Sequence, residues 1–421
     1  MAVDLSVDFL GIKFKNPFLL SPTPAARASL LGKAAKAGWG GAAPWTAEIT
    51  CDHIEDIGSS IPHGLEYIKN APAYWTFGFS SHVRGLNPAE LYPEVKMKRY
   101  FEKYKESGMP IIANIVGVSV DSWVKNCIAA EKAGADIIEV NCSYAIHPKL
   151  GMHFGWADNP DMSKQLIEAI KQNVSVPVIV KLNAFLIPEK LKAWAKACVE
   201  GGANGISVTN SIPGFSGLDI ERSGVPRTAF IDVNGNFRGT AYQICDGPAI
   251  KPIGLAAVAL IAWEVDVPII AIGGVSDWYS AVEYFMLGAT MVEVGSAAMA
   301  YGHRMVRGMK TGLEDFMERK GYKSVKDMVG ISNKKYRIGE SIYGSGAPSK
   351  EQPWKMVVDE SKCTGCGICA ISCETSAFGA AKVVDGVCRI NQELCEKCCM
   401  CKLVCPREAI LMEWDAGYPA A

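Results

Sequence analysis

The sequence predicts an α/β protein, a (β/α)₈ barrel followed by a small α+β domain. Three observations favour this fold class. Short apolar, β-branched runs alternate with helical stretches from Pro17 to about Ala297, these runs number eight, and a dense group of cysteines follows near the C-terminus. Alternating strands and helices are typical of a parallel sheet, and eight βα units are the number that closes a barrel.

The eight predicted strands end in polar residues. The strands are PFLLSPT (17–23), GWGGAAPWT (38–46), PIIANIVG (110–117), DIIEVNCS (136–143), PVIVKLN (177–183), GISVTNS (205–211), PIIAIGG (268–274) and MVEVGSA (291–297). Their carboxyl ends meet at one rim, where such barrels carry their functional site. The rim residues are Ser21, Thr23, Thr46, Asn114, Asn141, Ser143, Lys181, Asn183, Thr209, Asn210, Gly273, Gly274, Gly295 and Ser296. Any one of them can be a strand end at solvent, but the whole set predicts a binding site.

The remaining segments divide the chain into domains. VDFLGIKF, before the first strand, predicts a hairpin that turns at Gly11 and closes the lower end of the barrel. The connections 47–100 and 211–249 are long enough to act as lids or partner surfaces, and the second contains a predicted Asn234-Gly235 hairpin turn. We therefore predict a barrel domain over 1–312, a helical linker over 313–352 and a small domain over 353–421.

Composition and charge restrict the partners. The chain has 43 Lys and Arg against 44 Asp and Glu, so no broad basic field favours nucleic acid or an anionic membrane surface. The N-terminal MAVDLSVDFLGIKFKNP lacks the regions of a signal peptide, and no uninterrupted apolar run of about 18 residues is present. The expectation is a cytoplasmic protein with a small-molecule substrate.

Ten of the 15 cysteines lie between Cys363 and Cys405 and form an internal repeat. Cys363, Cys366, Cys369 and Cys373 recur 32 positions later as Cys395, Cys398, Cys401 and Cys405. This spacing is typical of two [4Fe–4S] clusters, with three cysteines of each run on one cluster and the fourth on the other. One cluster would take Cys363, Cys366, Cys369 and Cys405; the other would take Cys395, Cys398, Cys401 and Cys373. Two zinc sites are the alternative, although zinc motifs usually group cysteines as separated pairs.

Five of the other cysteines are interpreted as small buried apolar residues. They are Cys388 and Cys399 beside the clusters, and Cys51, Cys127 and Cys198 in the barrel. Glu374 follows the first run where proline is usual, a change that touches no ligand.

Clusters near a barrel favour a flavin in that barrel. Iron–sulfur clusters pass single electrons whereas most organic oxidations move a hydride, and flavin does both. The pairs Gly273-Gly274 and Gly295-Ser296 can bring backbone amides to a phosphate after the seventh and eighth strands. Lys181 can place positive charge near the flavin N1 side, or else it is an ion-pair residue of the barrel.

At this point the motifs show a family resemblance. NPFLLSPTP, GADIIEVNCS, VKLN, VTNS, DGPAIKPIGLAAV, AIGGV and VGSA, followed by the cysteine runs, resemble the pyrimidine-reducing half of dihydropyrimidine dehydrogenases, and the barrel resembles dihydroorotate dehydrogenases. The resemblance implies FMN contacts at Ser21, Thr46, Asn114, Asn141, Lys181, Thr209, Gly247, Gly273, Gly274, Gly295 and Ser296. It also implies that Asn141, Asn210 and Ser211 meet the substrate.

Two departures from the family motif bear on the chemistry. The family has Asn-Leu-Ser-Cys-Pro after strand four, with the cysteine as proton donor, whereas this chain has Asn141-Cys142-Ser143-Tyr144-Ala145. Tyr144 therefore takes the position of the acid, with His147 and His153 as alternative donors. At strand two the family has Lys-Thr and this chain has Trp45-Thr46, which removes one cation.

The sequence supports two hypotheses. The first is an FMN- and iron–sulfur-dependent reductase of a conjugated C=C bond in a pyrimidine-like or other cyclic substrate. The second is an electron-transfer subunit of a larger complex with no organic substrate of its own. No Gly-x-Gly-x-x-Gly unit follows a strand, so electrons are expected from a separate flavoprotein or ferredoxin, in a homo- or hetero-oligomer.

Overall fold

The protein consists of two compact units, Met1–Ile342 and Tyr343–Ala421. The computed structural model describes residues 3–44, 66–67, 76–77, 94–117, 119–143, 159–184, 187–213, 218–226, 229–231, 237–240, 244–342 and 352–415. The first unit contains an eight-stranded parallel sheet surrounded by helices, and the second is a small unit of paired strands and two short helices.

The first unit opens with the predicted hairpin. Its strands β1 (Val7–Phe9) and β2 (Ile12–Phe14) pair antiparallel, and the turn residue Gly11 has a φ of +82°. Phe9 is buried and reaches the start of a barrel strand, because a Cβ on Gly205 would lie 3.7 Å from its ring. The hairpin therefore covers the amino-terminal end of the sheet.

All eight predicted barrel strands are present. They are β3 (Phe18–Leu20), β4 (Gly41–Ala42), β7 (Ile112–Ile115), β8 (Ile137–Asn141), β9 (Val178–Lys181), β10 (Gly205–Val208), β17 (Ile269–Ile272) and β18 (Ala289–Val294). Their order in the sheet is β4-β3-β18-β17-β10-β9-β8-β7. A parallel bridge between Ala42 and Ile111 joins the two ends, so the sheet closes on itself. The strands are almost wholly buried, as expected for a parallel sheet covered by helices.

Helices cover the outside of the sheet and extend beyond its last strand. The first unit contains α1 (Ala28–Ala37), α2 (Glu94–Lys105), α3 (Val120–Ala133), α4 (Pro160–Lys171), α5 (Pro188–Glu200), α6 (Lys251–Glu264), α7 (Trp278–Leu287), α8 (Ser296–Tyr301), α9 (Met305–Lys320), α10 (Ile331–Tyr336) and α11 (Ile338–Ser341). Helix α3 begins at a capping box of Ser119 and Ser122 and ends at Gly134 with a φ of +98°. These caps satisfy the terminal backbone groups that the helix itself leaves unpaired.

Short strands lie in the two long connections. They are β5 (Glu66–Tyr67), β6 (Thr76–Phe77), β11 (Ile212–Pro213), β12 (Leu218–Asp219), β13 (Val225–Pro226), β14 (Ala229–Ile231), β15 (Phe237–Thr240) and β16 (Ile244–Cys245). Strands β14 and β15 pair antiparallel on either side of the predicted Asn234-Gly235 turn, which itself lies outside the described residues. Strands β11 and β16 bring the two ends of the second connection together.

The segment 313–342 differs from the predicted linker because it belongs to the first unit. Leu313 and Met317 of α9 are fully buried in the barrel core, together with Val325 and Met328 from the following turn. The apolar residues of α9 recur every three or four positions, so one face of this charged helix is buried. The predicted boundary at 312 thus falls within a helix that packs on the barrel.

One stretch, Gly247–Glu264, is long and apolar enough to cross a membrane by length and composition, and 44% of it is buried within the protein. It contains α6, whose Ala257, Val258 and Ile261 are buried in the barrel core. Core helices meet the same criteria, and the contacts of α6 are those of a barrel helix.

The second unit repeats one pattern twice. It contains β19 (Trp354–Val358), α12 (Ile368–Thr375), β20 (Ala381–Val384), β21 (Val387–Ile390), α13 (Met400–Leu403) and β22 (Ile410–Trp414). The outer strands β19 and β22 pair antiparallel, as do β20 and β21. Each of the two cysteine runs overlaps one of these two helices. Five of the ten buried core residues of this small unit are cysteines, and the other five are apolar.

Candidate flavin and iron–sulfur sites

A hydrogen-bonded row of polar side chains lies at the carboxyl ends of β7, β8 and β10. Asn141 donates through Nδ2 to Oδ1 of Asn114 at 3.1 Å, and its own Oδ1 accepts from Ser143 Oγ at 2.5 Å. Asn210 continues the row by donating to Ser143 Oγ at 2.7 Å. The first three of these residues are buried, so the structure brings them together as a fixed polar surface at the rim.

The loops after β9 and β10 extend this row. Asn183 donates through Nδ2 to the carbonyl oxygen of Ser211 at 2.9 Å, and the amide of Ser211 donates to Oδ1 of Asn210 at 2.8 Å. Thr209 Oγ1 accepts from the amide of Ala184 at 2.8 Å. The predicted substrate residues Asn210 and Ser211 thus lie beside the predicted flavin residue Thr209.

Glycine loops form the other side of the rim. Gly273 and Gly274 follow β17 with φ angles of +115° and +73°, which side-chain-bearing residues rarely adopt. A Cβ on Gly274 would lie 2.9 Å from the carbonyl oxygen of Gly247, and one on Gly273 would lie 3.0 Å from Thr209 Cγ2. These short distances leave no room for a side chain at either position, so only glycine fits there. Such a cradle fits the phosphate end of a flavin nucleotide.

The loop after β18 closes the rim towards β3. A Cβ on Gly295 would lie 3.1 Å from Thr23 Cγ2 and 3.4 Å from Ser21 Cβ. Ser296 Oγ donates to a carboxylate oxygen of Asp246, the residue before Gly247. Burial raises the pKa of Asp246 to about 6, against the opposing effect of the Ser296 hydrogen bond. A carboxyl with that pKa is partly protonated near neutral pH, which lessens its repulsion of a phosphate.

Sequence reasoning missed Tyr284, which supports the glycine cradle. Its hydroxyl donates to the carbonyl oxygen of Gly273 at 2.6 Å, and burial raises its pKa well above the ordinary tyrosine range. A Cβ on Gly254 would lie 2.1 Å from this hydroxyl, so only glycine fits beneath it. Tyr284 and Gly273 lie 11 residues apart in the same βα unit, but no recognised sequence motif marks this contact.

Lys181 lies within the barrel interior and is almost fully buried. Its Nζ is 3.2 Å from Oε2 of Glu139 and 3.2 Å from Oε2 of Glu293. Burial lowers the pKa of Lys181, but the two carboxylates outweigh burial and raise it. Lys181 is therefore an ion-pair residue of the barrel in this structure, as the alternative interpretation expected. Its contact with a flavin stays a prediction. Both glutamates were missed, although each interrupts an otherwise apolar strand.

Several predicted residues lie outside the described part of the chain. They are Trp45, Cys51, Thr46, Tyr144, His147 and His153. Strand β8 ends at Asn141, and Cys142 follows it in a turn with its thiol buried. Burial raises the pKa of Cys142 to about 12, and its neighbours are Cys127 of α3 and Cys198 of α5. Cys142 therefore faces the helices, away from the polar row.

The second unit contains two cavities lined by cysteines. One cavity is lined by Cys363, Cys366, Cys369 and Cys405. The other is lined by Cys373, Cys395, Cys398 and Cys401. Cys388 also lines the first cavity and Cys399 the second. The other eight cysteines are the two sets of four expected from the doubled run, so the structure brings each set together. Cys369 and Cys373 lie one turn apart on α12 and line different cavities, as interleaved ligation requires.

Backbone amides approach the sulfurs of these cysteines. Cys373 Sγ accepts from the amides of Ala380 and Ala381 at 3.2 and 3.3 Å, and Cys405 Sγ accepts from Ala409 at 3.3 Å. Hydrogen bonds of this kind stabilise thiolates and tune cluster potentials. Among residues that the structure describes, no group of three Cys, His, Asp or Glu side chains is spaced to hold a single metal ion.

A barrel whose rim offers glycine amides suits a flavin phosphate, and the cysteine cavities suit iron–sulfur clusters; a chain with both is an iron–sulfur flavoprotein oxidoreductase. Comparison with protein families agrees with this class. A model described as dihydroorotate dehydrogenase matches residues 4–317, and a 4Fe-4S binding domain model matches residues 356–378. The chain belongs to the dihydroorotate dehydrogenase family. The predicted barrel and the predicted small iron–sulfur domain after it are confirmed.

Individual relatives extend the likeness over most of the chain. The NAD-dependent dihydropyrimidine dehydrogenase subunit PreA of Escherichia coli (strain K12) is 30% identical over 88% of this chain and 85% of its own length. The catalytic subunit of dihydroorotate dehydrogenase B (NAD(+)) from Pyrococcus abyssi is 29% identical over 78% of this chain and 99% of its own. A crystal structure of DHODH from Eimeria tenella shares the fold, with a TM-score of 0.57 and 17% identity over 78% of this chain and 89% of that one.

Proposed function

We propose that the protein reduces a conjugated C=C bond of a pyrimidine-like or related cyclic substrate, using bound FMN and electrons carried by two [4Fe–4S] clusters. The observation that supports this most is the continuous rim that joins the polar row to the glycine cradle. When bound, FMN supplies hydride transfer. Asn141 and Asn210 supply amide groups that both donate and accept, which suits the alternating N–H and C=O groups of a pyrimidine edge.

The two-cluster assignment rests on the repeat and on the paired cavities. The 4Fe-4S model covers only the first cysteine run, and the second run has the same spacing and lines its own share of both cavities. We infer that electrons enter through this unit from a separate flavoprotein or ferredoxin, since the Escherichia coli relative is itself named as an NAD-dependent subunit. We also propose a reducing, cytoplasmic location, because cysteines that bind clusters must stay free of disulfides.

The direct test of substrate class is reoxidation of the reduced flavin. The anaerobic holoprotein is reduced, and uracil, thymine, orotate and conjugated cyclic ketones are added one at a time while the flavin absorbance is followed. We expect one class to restore the oxidised spectrum at a rate proportional to its concentration, with the saturated product detected by mass spectrometry. Reoxidation by an accepting redox protein alone, with none of these compounds active, would instead support an electron-transfer subunit.

The proposed proton donor is Tyr144, which is tested by Tyr144→Phe. Loss of a general acid lowers turnover by about 10²- to 10⁴-fold, so substrate-dependent reoxidation should slow by that factor while bound FMN and cluster absorbance stay unchanged. Single-turnover kinetics measure the rate. His147→Gln and His153→Gln are the comparison variants. Unchanged kinetics in Tyr144→Phe, with a large loss in one histidine variant, would move the acid to that histidine.

A further inference from the structure

The barrel strands carry three charged residues, and all three meet in the interior. Among the eight described barrel strands, Glu139 of β8, Lys181 of β9 and Glu293 of β18 are the only Asp, Glu, Lys, Arg or His residues. Strands β17 and β10 lie between β18 and β9 in the sheet, so the contact between Glu293 and Lys181 crosses the interior of the barrel. Each of the three side chains is at most 2% exposed.

The two carboxylates have different surroundings. Glu139 accepts hydrogen bonds from Asn114 Nδ2, from Lys181 Nζ at 3.2 Å and from Ser207 Oγ at 2.5 Å. Glu293 accepts one from Lys181 at 3.2 Å, while its Oε1 is buried without a hydrogen-bond partner among the described residues. A buried, unpaired carboxylate oxygen is costly when charged and far less so when protonated.

The charge balance of the cluster points to the same residue. Two carboxylates and one ammonium leave one negative charge in excess in a site that water does not reach. Burial and the neighbouring Glu139 together raise the pKa of Glu293 to about 8, against the opposing effects of Lys181 and of a hydrogen bond from Ser21. A proton on Glu293 therefore leaves Glu139 and Lys181 as a balanced, well hydrogen-bonded pair.

The cluster lies next to residues of the proposed flavin site. Glu293 is two residues before Gly295, and its partner Lys181 is a proposed flavin contact at the end of β9. Negative charge placed at the rim on reduction would compete with Glu293 for the single ammonium group. It would therefore strengthen proton binding by Glu293.

We propose that Glu293 is a proton-holding positioning residue, which stays protonated in both flavin states at neutral pH and, in alkaline solution, takes up a proton from solvent when negative charge is placed on the bound flavin and returns it on reoxidation. The inference rests on the proposed function. In the step that is tested, dithionite is oxidised and supplies two electrons, one proton goes to the flavin, and a second proton from solvent goes to the carboxylate of Glu293. The net charge of the barrel interior then stays unchanged.

The test is the pH dependence of the flavin reduction potential in the anaerobic holoprotein, compared between wild type and Glu293→Gln. Glutamine has the shape and charge of protonated glutamate, so the variant should fold. Above about pH 8, the ratio of reduced to oxidised flavin at a fixed potential should fall by about tenfold more per pH unit in wild type than in the variant. The reason is that reduction of wild type takes up one more proton. The two curves should run parallel at lower pH, where Glu293 stays protonated throughout.

A second readout follows the proton directly. Reduced-minus-oxidised infrared difference spectra above pH 8 should show a protonated carboxyl band in wild type that is absent in Glu293→Gln and retained in the surface control Glu200→Gln. Glu200 is an exposed residue of α5 that pairs with Lys164. Equal pH dependence in all three proteins, with no such band, would overturn the role of Glu293. Wild type that binds no FMN after reconstitution would be recognised before any titration, and it would remove the proposed function together with this inference.

Discussion

Replacing Lys181 with methionine is expected to lower the free energy of unfolding of the barrel by about 3–5 kcal/mol. The methionine fills a similar volume but leaves Glu139 and Glu293 facing each other without a cation, in an interior from which water is excluded. The measurement is chemical denaturation followed by tryptophan fluorescence. The deficit should grow between about pH 5 and about pH 8. Burial and the neighbouring Glu139 raise the pKa of Glu293 in the folded protein, and the variant lacks the lysine that opposes them, so stability falls as pH rises.

The matched control is Lys164→Met. Lys164 of α4 pairs with Glu200 at 3.5 Å, with both side chains more than a third exposed, so its loss should cost only about 0–1 kcal/mol. Above about pH 8, the double variant Lys181→Met, Glu293→Gln should recover part of the lost stability, because it removes a carboxylate that would otherwise be charged without a cation. Equal losses in the two single lysine variants, with no recovery in the double variant, would show that the cluster makes no special contribution to the fold.

The sequence predicts the barrel well because the residue pattern of each strand depends on whether its own two faces are buried. Strands such as PIIAIGG and PVIVKLN are apolar on both faces, which a parallel sheet covered by helices requires, so all eight could be located from local pattern alone. The rim residues followed from the strand ends. Their partners did not, since the hydrogen bond between Asn210 and Ser143 joins residues 67 positions apart.

The interior charge cluster could not be predicted from local sequence pattern, for a related reason. Glu139 and Glu293 are visible as single charged residues in apolar runs, but their convergence on Lys181 depends on which strands face each other across a closed barrel. Tyr284 lies only 11 residues from Gly273, but its fit there depends on Gly254 of the preceding barrel helix, which no local pattern indicates. The misplaced linker has a simpler cause. The charged residues of α9 suggested an exposed segment, whereas Val306, Met309, Leu313 and Met317 form a buried stripe on one of its faces.

The interleaved ligand sets in the second unit allow a sharp test of two-cluster binding. Wild type should carry about eight iron atoms per chain, and Cys369→Ser and Cys373→Ser should each lose about four, because serine is a poor substitute for a thiolate ligand. Iron analysis of anaerobically purified protein measures the loss. Cys388→Ser is the matched control. Cys388 is buried and also lines the first cavity, but it belongs to neither run of the repeat, so its replacement should leave the iron content unchanged.

The decisive feature is which cluster each variant loses. Cys369 and Cys373 lie on the same helix, yet Cys369 lines the cavity shared with Cys405 and Cys373 lines the cavity shared with Cys395. The electron paramagnetic resonance spectrum of Cys369→Ser should therefore match that of Cys405→Ser, and the spectrum of Cys373→Ser should match that of Cys395→Ser. If Cys369→Ser and Cys373→Ser instead shared one spectrum, each run would bind its own cluster, and the crossing of the fourth cysteine to the opposite cavity would be refuted.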